Sequence, residues 1–180
     1  NAPNFLVGKD GLGITLGDIA FDDLSVLEPQ AETISLLGIP WHNVIGNHDA
    51  NYDAKEDIHS DETFERIYGP SCYSFNYGPV HFVVLDDVEC SRNEKNEWSY
   101  RGNLGEKQLE FLKNDLAAVP EENLVVLAMH IPLIHLDDRA KVYRLIENRP
   151  FTLSLSGHTH SNEQHFVEKN GGWNGARPHH

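Results

Sequence analysis

Short apolar runs alternate along this chain with stretches whose apolar residues fall at helical spacing. That alternation predicts an α/β architecture. Gly13–Leu16 (GITL), Trp41–Ile45 (WHNVI), Leu124–Met129 (LVVLAM) and Phe151–Leu155 (FTLSL) read as short strands. Cys72–Tyr77 and Val80–Leu85 flank Gly78-Pro79 and read as a β-hairpin. Glu28–Leu37 reads as a helix closed by Gly38 and Pro40. Ser60 or Asp61 is placed to cap a short helix through Tyr68, which Gly69-Pro70 stops. Leu109, Leu112, Leu116 and Val119 share one helix face within Leu104–Val119, and Pro120 ends it. A further helix follows Asp137-Asp138 and runs through Glu147. Asp53–Asp61 and the long charged run Asp87–Asn103 read as loops, and Phe166-Val167 as the start of one more strand.

The chain's 180 residues fit one domain, and its 39% hydrophobic content suffices for a real core. Net charge is −14. Such a surface repels nucleic-acid backbones and anionic membranes, so neither is an expected partner. No apolar run reaches the roughly 20 residues that span a bilayer. Cys72 and Cys90 form no CxxC pattern, and the hairpin register sets Cys72 opposite Leu85, so no disulfide is expected. The chain does not begin with Met and reads as a piece of something longer, which leaves localisation open.

Four of the strands are followed at once by residues that can hold a metal. GITL leads into Gly17-Asp18, WHNVI into Gly46-Asn47-His48-Asp49, LVVLAM into His130, and FTLSLS into Gly157-His158-Thr159-His160. Open α/β sheets bind ligands at the carboxyl ends of their strands. If these strands share one rim, their terminal residues converge. Each motif alone has an ordinary explanation as a cap, a turn or a core-edge histidine. Together they predict a metal site. Imidazole with carboxylate suits Mn, Fe, Zn or Ni better than Ca.

In order and spacing, GD (17–18), GNHD (46–49), the lone His130 and GHTH (157–160) resemble the calcineurin-like metallophosphoesterases, over about residues 13–166. The stretch GDIAFDDLSVL with IPWHNVIGNHD looks most like a bacterial branch. The resemblance implies a sandwich of two mixed β-sheets flanked by helices, around a two-metal centre. Asp18 would bridge both metals, with Asn47, His130 and His158 on the second and His160 on the first. His48 would be the catalytic histidine at the leaving-group oxygen, oriented by Asp49. The substrate would be a phosphomonoester or phosphodiester.

The family's first motif, Asp-x-His or Asp-x-Gln on the first strand, has no counterpart upstream of Gly17, where only Asp10 stands. The expectation is therefore a chain truncated before that motif, holding two, one or no metals. An incomplete first strand would leave a sheet edge open to dimerisation. The missing motif also keeps a second reading alive, a non-catalytic scaffold with this fold. Outside the motifs, Asp22 and Asp23 are candidates to support the metal loops, His135 and Trp173 to line the substrate cleft, and Arg101 to hold a phosphate oxygen.

Overall fold

The computed structural model describes residues 11–180, and Asp10 lies outside them. A two-stranded parallel sheet joins β1 (Gly13–Leu16) to β2 (Trp41–Val44). A four-stranded mixed sheet follows in the order β3 (Tyr73–Tyr77), β4 (Val80–Val84), β7 (Leu124–Ala128), β8 (Thr152–Leu155). β3 and β4 form the expected hairpin, with Tyr73 opposite Val84 and Tyr77 opposite Val80. β4, β7 and β8 run parallel, as buried β-branched runs tend to.

The two sheets meet through a small core. Val44, Val84 and Ala128 are fully buried there, with Ile14, Leu16, Tyr73 and Phe75 packed around them. The larger core sets the four-stranded sheet against α3 (Gly105–Leu116) and α4 (Arg139–Ile146). α3 contributes Leu109, Leu112 and Leu116, the stripe its spacing predicted. α4 contributes Val142, Tyr143 and Ile146. Asp138 joins the helices: its carboxylate accepts the Leu104 and Gly105 N–H groups at the start of α3. This is the layered α/β sandwich that the sequence predicted.

α1 (Leu27–Ser35) and α2 (Glu62–Tyr68) lie close to the expected spans. The expected cap on α2 is absent. Asp61 makes no side-chain bond to its helix and accepts the Ser71 hydroxyl instead. Ser60 donates to the Asp57 carbonyl.

The charged run 87–103 is not a loop. It folds as a second hairpin, β5 (Val88–Arg92) against β6 (Trp98–Gly102). Val88 and Cys90 are buried while Glu89 and Ser91 are more exposed, a short alternation that ends at the exposed Arg92 and is obscured by the charged residues around it. The turn is built by Asn93, whose side chain accepts the Lys95 and Glu97 N–H groups, and by Asn96 at φ 63°. The strand expected from Phe166-Val167 is a single bridge, Val167 to His179. Both cysteines are free. Among the described residues, no helix is long and apolar enough to cross a membrane.

Trp173 does not present a free ring to a substrate. It is buried against Tyr143 and His179. His179 is itself fully buried, between the Thr152 hydroxyl at 2.8 Å and the Ser154 hydroxyl at 3.1 Å. Burial, with the nearby charge of His180, pushes its imidazole down to about 4. The unfolded chain then binds a proton, near pH 6.5, that the folded chain refuses until about pH 4. Stability should therefore fall as pH drops through that window, by up to about 3 kcal/mol from this group. Melting curves from pH 7 to 4 check this: His179→Gln should flatten the fall, and an unchanged slope would show that other groups drive it.

Candidate metal centre

β1, β2, β7 and β8 end on one rim, and each hands the chain to a loop bearing a polar side chain. β1 gives Asp18. The turn after β2 gives Asn47, His48 and Asp49. β7 gives His130, and β8 gives His158. The donor atoms of Asp18, His130 and His158 lie within 4.8 Å of one another. The Asn47 amide oxygen sits 3.0 Å from both His130 Nε2 and His158 Nδ1. His130 Nε2 is also 3.3 Å from Asp18 Oδ1. Two imidazoles, a carboxylate and a neutral amide oxygen thus face one point.

The supporting bonds fix how these groups face. His130 Nδ1 lies 2.8 Å from the Leu16 carbonyl, which can only accept, so Nδ1 carries the proton. Nε2 is then free to offer a lone pair to the centre, the arrangement that metal-binding histidines use. In the neutral ring that lone pair, the Asn47 oxygen and the Asp18 carboxylate are donors facing one point. A proton on Nε2, shared with Asp18, or a divalent cation relieves the crowding, and the donor set suits a transition metal.

Burial alone would raise the Asp18 carboxyl, but its bond to His130, the His48 N–H at 3.1 Å and the adjacent imidazoles hold it below the usual range. Burial pushes His130 down, yet Asp18, the Leu16 carbonyl and Asp87 outweigh it and raise it. His158 is lowered, first by burial and then by the charge of His130; His135 and His160 add to this and so lie close by.

Backbone strain gathers here. Six non-glycine residues among those described have positive φ, and five of them are Asp18, Phe21, Asp22, His158 and His160, at 51–70°. Such conformations cost of order 1–3 kcal/mol each and persist where surroundings enforce them. Gly46 has no room for a side chain, because a Cβ there would overlap the Asp18 backbone and carboxylate.

Asp49 does not orient His48. It is fully buried, and its two oxygens accept the Ala20 and Gly46 N–H groups at 2.7 and 2.8 Å. It clamps the Asp18 loop to the GNHD turn. The partner of His48 is Asp22, whose Oδ1 lies 2.8 Å from His48 Nδ1. Phe21 stacks on the same imidazole, with centroids 5.2 Å apart and planes within 5°.

His160 is exposed and outside the tight donor group. Arg101 is exposed on β6 and already paired with Glu89 at 2.6 Å, with Asp137 at 3.7 Å. His135 is exposed on the short turn Leu133–His135. Asp23 accepts from Ser25 and caps the turn Leu24–Val26.

Asp87 is a supporting residue that the sequence reading passed over. It is fully buried, and its carboxylate accepts the His130 and Ile131 N–H groups at 3.0 and 2.8 Å. It thereby fixes where β7 delivers His130. Burial pushes its carboxyl up to about 7 against those two bonds. The signal was available: Asp86-Asp87 follow VHFVVL as Asp18 follows GITL.

A cavity of about 430 Å³ lies beside the rim, lined by Leu16, Pro132, Leu155, Ser156, Phe166 and others. None of the donor residues lines it. The donor cluster of Asp18, Asn47 and the two histidines lies outside that cavity.

A strand-end rim carrying carboxylate, amide and imidazole donors, beside a separately held histidine, is a candidate site for a divalent metal. The calcineurin-like phosphoesterase family model matches residues 8–162, and the chain belongs to that family. Members of that family generally use divalent metals to hydrolyse phosphoesters. No curated protein and no solved structure matches the chain significantly.

Proposed function

We propose that this protein hydrolyses phosphomonoesters or phosphodiesters at a two-metal centre on the strand-end rim. The observation that carries the reading is the convergence of Asp18, Asn47, His130 and His158 next to a histidine that is not one of them. In this proposal those four hold one ion, and Asp18 with His160 holds its neighbour. Bound divalent ions supply Lewis acidity toward the phosphoryl oxygens.

The chain's own residues do the rest. His130 is locked in one tautomer by Leu16, so its donor atom is aimed before any ion arrives. Asp49 and Gly46 hold the Asp18 carboxylate in place. Asp22 engages Nδ1 of His48 and leaves Nε2 to give a proton to the departing oxygen.

A scaffold reading remains as a second account, favoured by the exposure of His160 away from the donor group. The Asp22–His48 pair argues for catalysis, since a purely structural ion has no use for it. The test is hydrolysis of p-nitrophenyl phosphate and bis(p-nitrophenyl) phosphate by the Mn²⁺-equilibrated chain. Turnover of either supports the enzyme. Bound metal with no turnover of both supports the scaffold.

A further inference from the structure

We infer that Phe21 and Tyr100 form a leaving-group subsite that selects phosphoesters ending in a planar, uncharged aromatic ring. The inference rests on the phosphoesterase reading above and deepens it.

Phe21 is 68% exposed although it belongs to the loop that carries Asp18 and Asp22. Burying a phenyl side chain is favourable, and this one forgoes most of that gain. Its φ of 51° is a conformation that bulky residues avoid. Among the described residues its ring has one aromatic neighbour, the imidazole of His48, which it faces in parallel. The rest of the ring is open to solvent. The loop thus spends backbone strain to hold an uncovered aromatic surface beside the group proposed to meet the leaving oxygen.

Tyr100 is the second such ring. It lies on β6 and is 39% exposed, with its ring edge-on to His158 at 5.9 Å and 88°. One ring therefore rests on the proposed proton donor and the other on a proposed metal ligand. Phe21 contacts His48 and Tyr100 contacts His158, so both rings border the place where the proposed phosphoryl group would be held. Flat aromatic surfaces favour flat partners, by stacking or by edge-to-face contact.

Charge narrows the class further. Asp22 and Asp23, the two residues after Phe21, are exposed, in a chain of net charge −14. They disfavour a leaving group that carries further phosphates and favour a neutral one. A benzyl, aryl or nucleoside-type substituent fits this description, and a polyphosphate chain does not.

The experiment compares benzylphosphonate with cyclohexylmethylphosphonate on the Mn²⁺-loaded full chain by calorimetry. The two have the same charge and similar size, and they differ in planarity. Benzylphosphonate should bind about three- to tenfold more tightly. Phe21→Ala and Tyr100→Ala should each move that ratio toward one, and Phe21→Trp should keep it. Phe21 is exposed, so its replacement leaves folding to the core; Phe21→Leu is the second check, expected to lower the ratio as Phe21→Ala does. Equal affinity for the two phosphonates, no affinity for either, or a ratio unchanged by Phe21→Ala and Phe21→Leu would overturn the inference. Hydrolysis of benzyl phosphate, followed alongside, separates the two claims. Turnover without ring preference sinks the subsite and leaves the phosphoesterase reading. Ring preference without turnover leaves an aromatic-binding patch at the site but overturns both the phosphoesterase reading and the leaving-group role of the rings.

Discussion

Replacing His48 with alanine is expected to slow turnover about 10²–10⁴-fold while the bound metal stays. The structure separates those two readouts. The imidazole of His48 is outside the donor group of Asp18, His130 and His158. The hydrogen bond of His48 to them is made by its backbone N–H, which donates to Asp18 Oδ1 at 3.1 Å, and alanine keeps that donor. The side chain instead engages Asp22 and Phe21. It is about one-third exposed, so its removal leaves no deep cavity. Steady-state rates with metal content measured on the same samples check this. The loss should be larger for an alkyl ester than for a p-nitrophenyl ester, because an alkoxide needs a proton more than a nitrophenolate does. Unchanged rates on both esters would remove His48 from the mechanism.

The second large effect is expected at His130. His130→Ala should lower metal affinity by more than the about 10–100-fold that loss of a supporting partner costs, and turnover should fall with it. His130 is fully buried and touches Leu16, Asn47, Asp18 and His158 at once. Its removal withdraws a donor and strands the Leu16 carbonyl, a defect worth about 1–3 kcal/mol. Folding must therefore be followed separately. Melting of the metal-free variant reports the structural cost, and Mn²⁺ titration of the folded fraction reports the ligand. A folded variant with wild-type affinity would show that His130 is not a ligand.

Much of this site was legible in the chain because each element there is local. A strand of four or five residues, then glycine or a direct turn, then Asp, Asn or His, is a pattern that neighbouring residues establish alone. The shared rim follows once the strands are parallel neighbours, and β7 and β8 are. What escaped was set by distant partners. The family resemblance implied that Asp49 orients His48, yet the backbone turns Asp49 into the protein to meet Ala20 and Gly46. Asp22 is 26 residues from His48 and reaches it only because the β1 and β2 loops lie side by side. The β5–β6 hairpin escaped because its outward positions are charged and its turn uses asparagine rather than glycine. Trp173, in a glycine-rich stretch, read as a residue to meet a substrate, and tertiary packing buries it.

These corrections change the roles within the site and leave its place intact. Asp22 moves from a supporting candidate to the partner of His48. Asp49 becomes the clamp between two loops. Arg101, already paired with Glu89, is a weak candidate for holding phosphate.

The central claim is that four strand ends build a metal centre. The most direct measurement is metal per chain after equilibration with Mn²⁺ and desalting. The account predicts at least one tightly held ion, removed by a chelator, with two per chain if His160 completes the neighbouring site. A folded chain that retains none would contradict it.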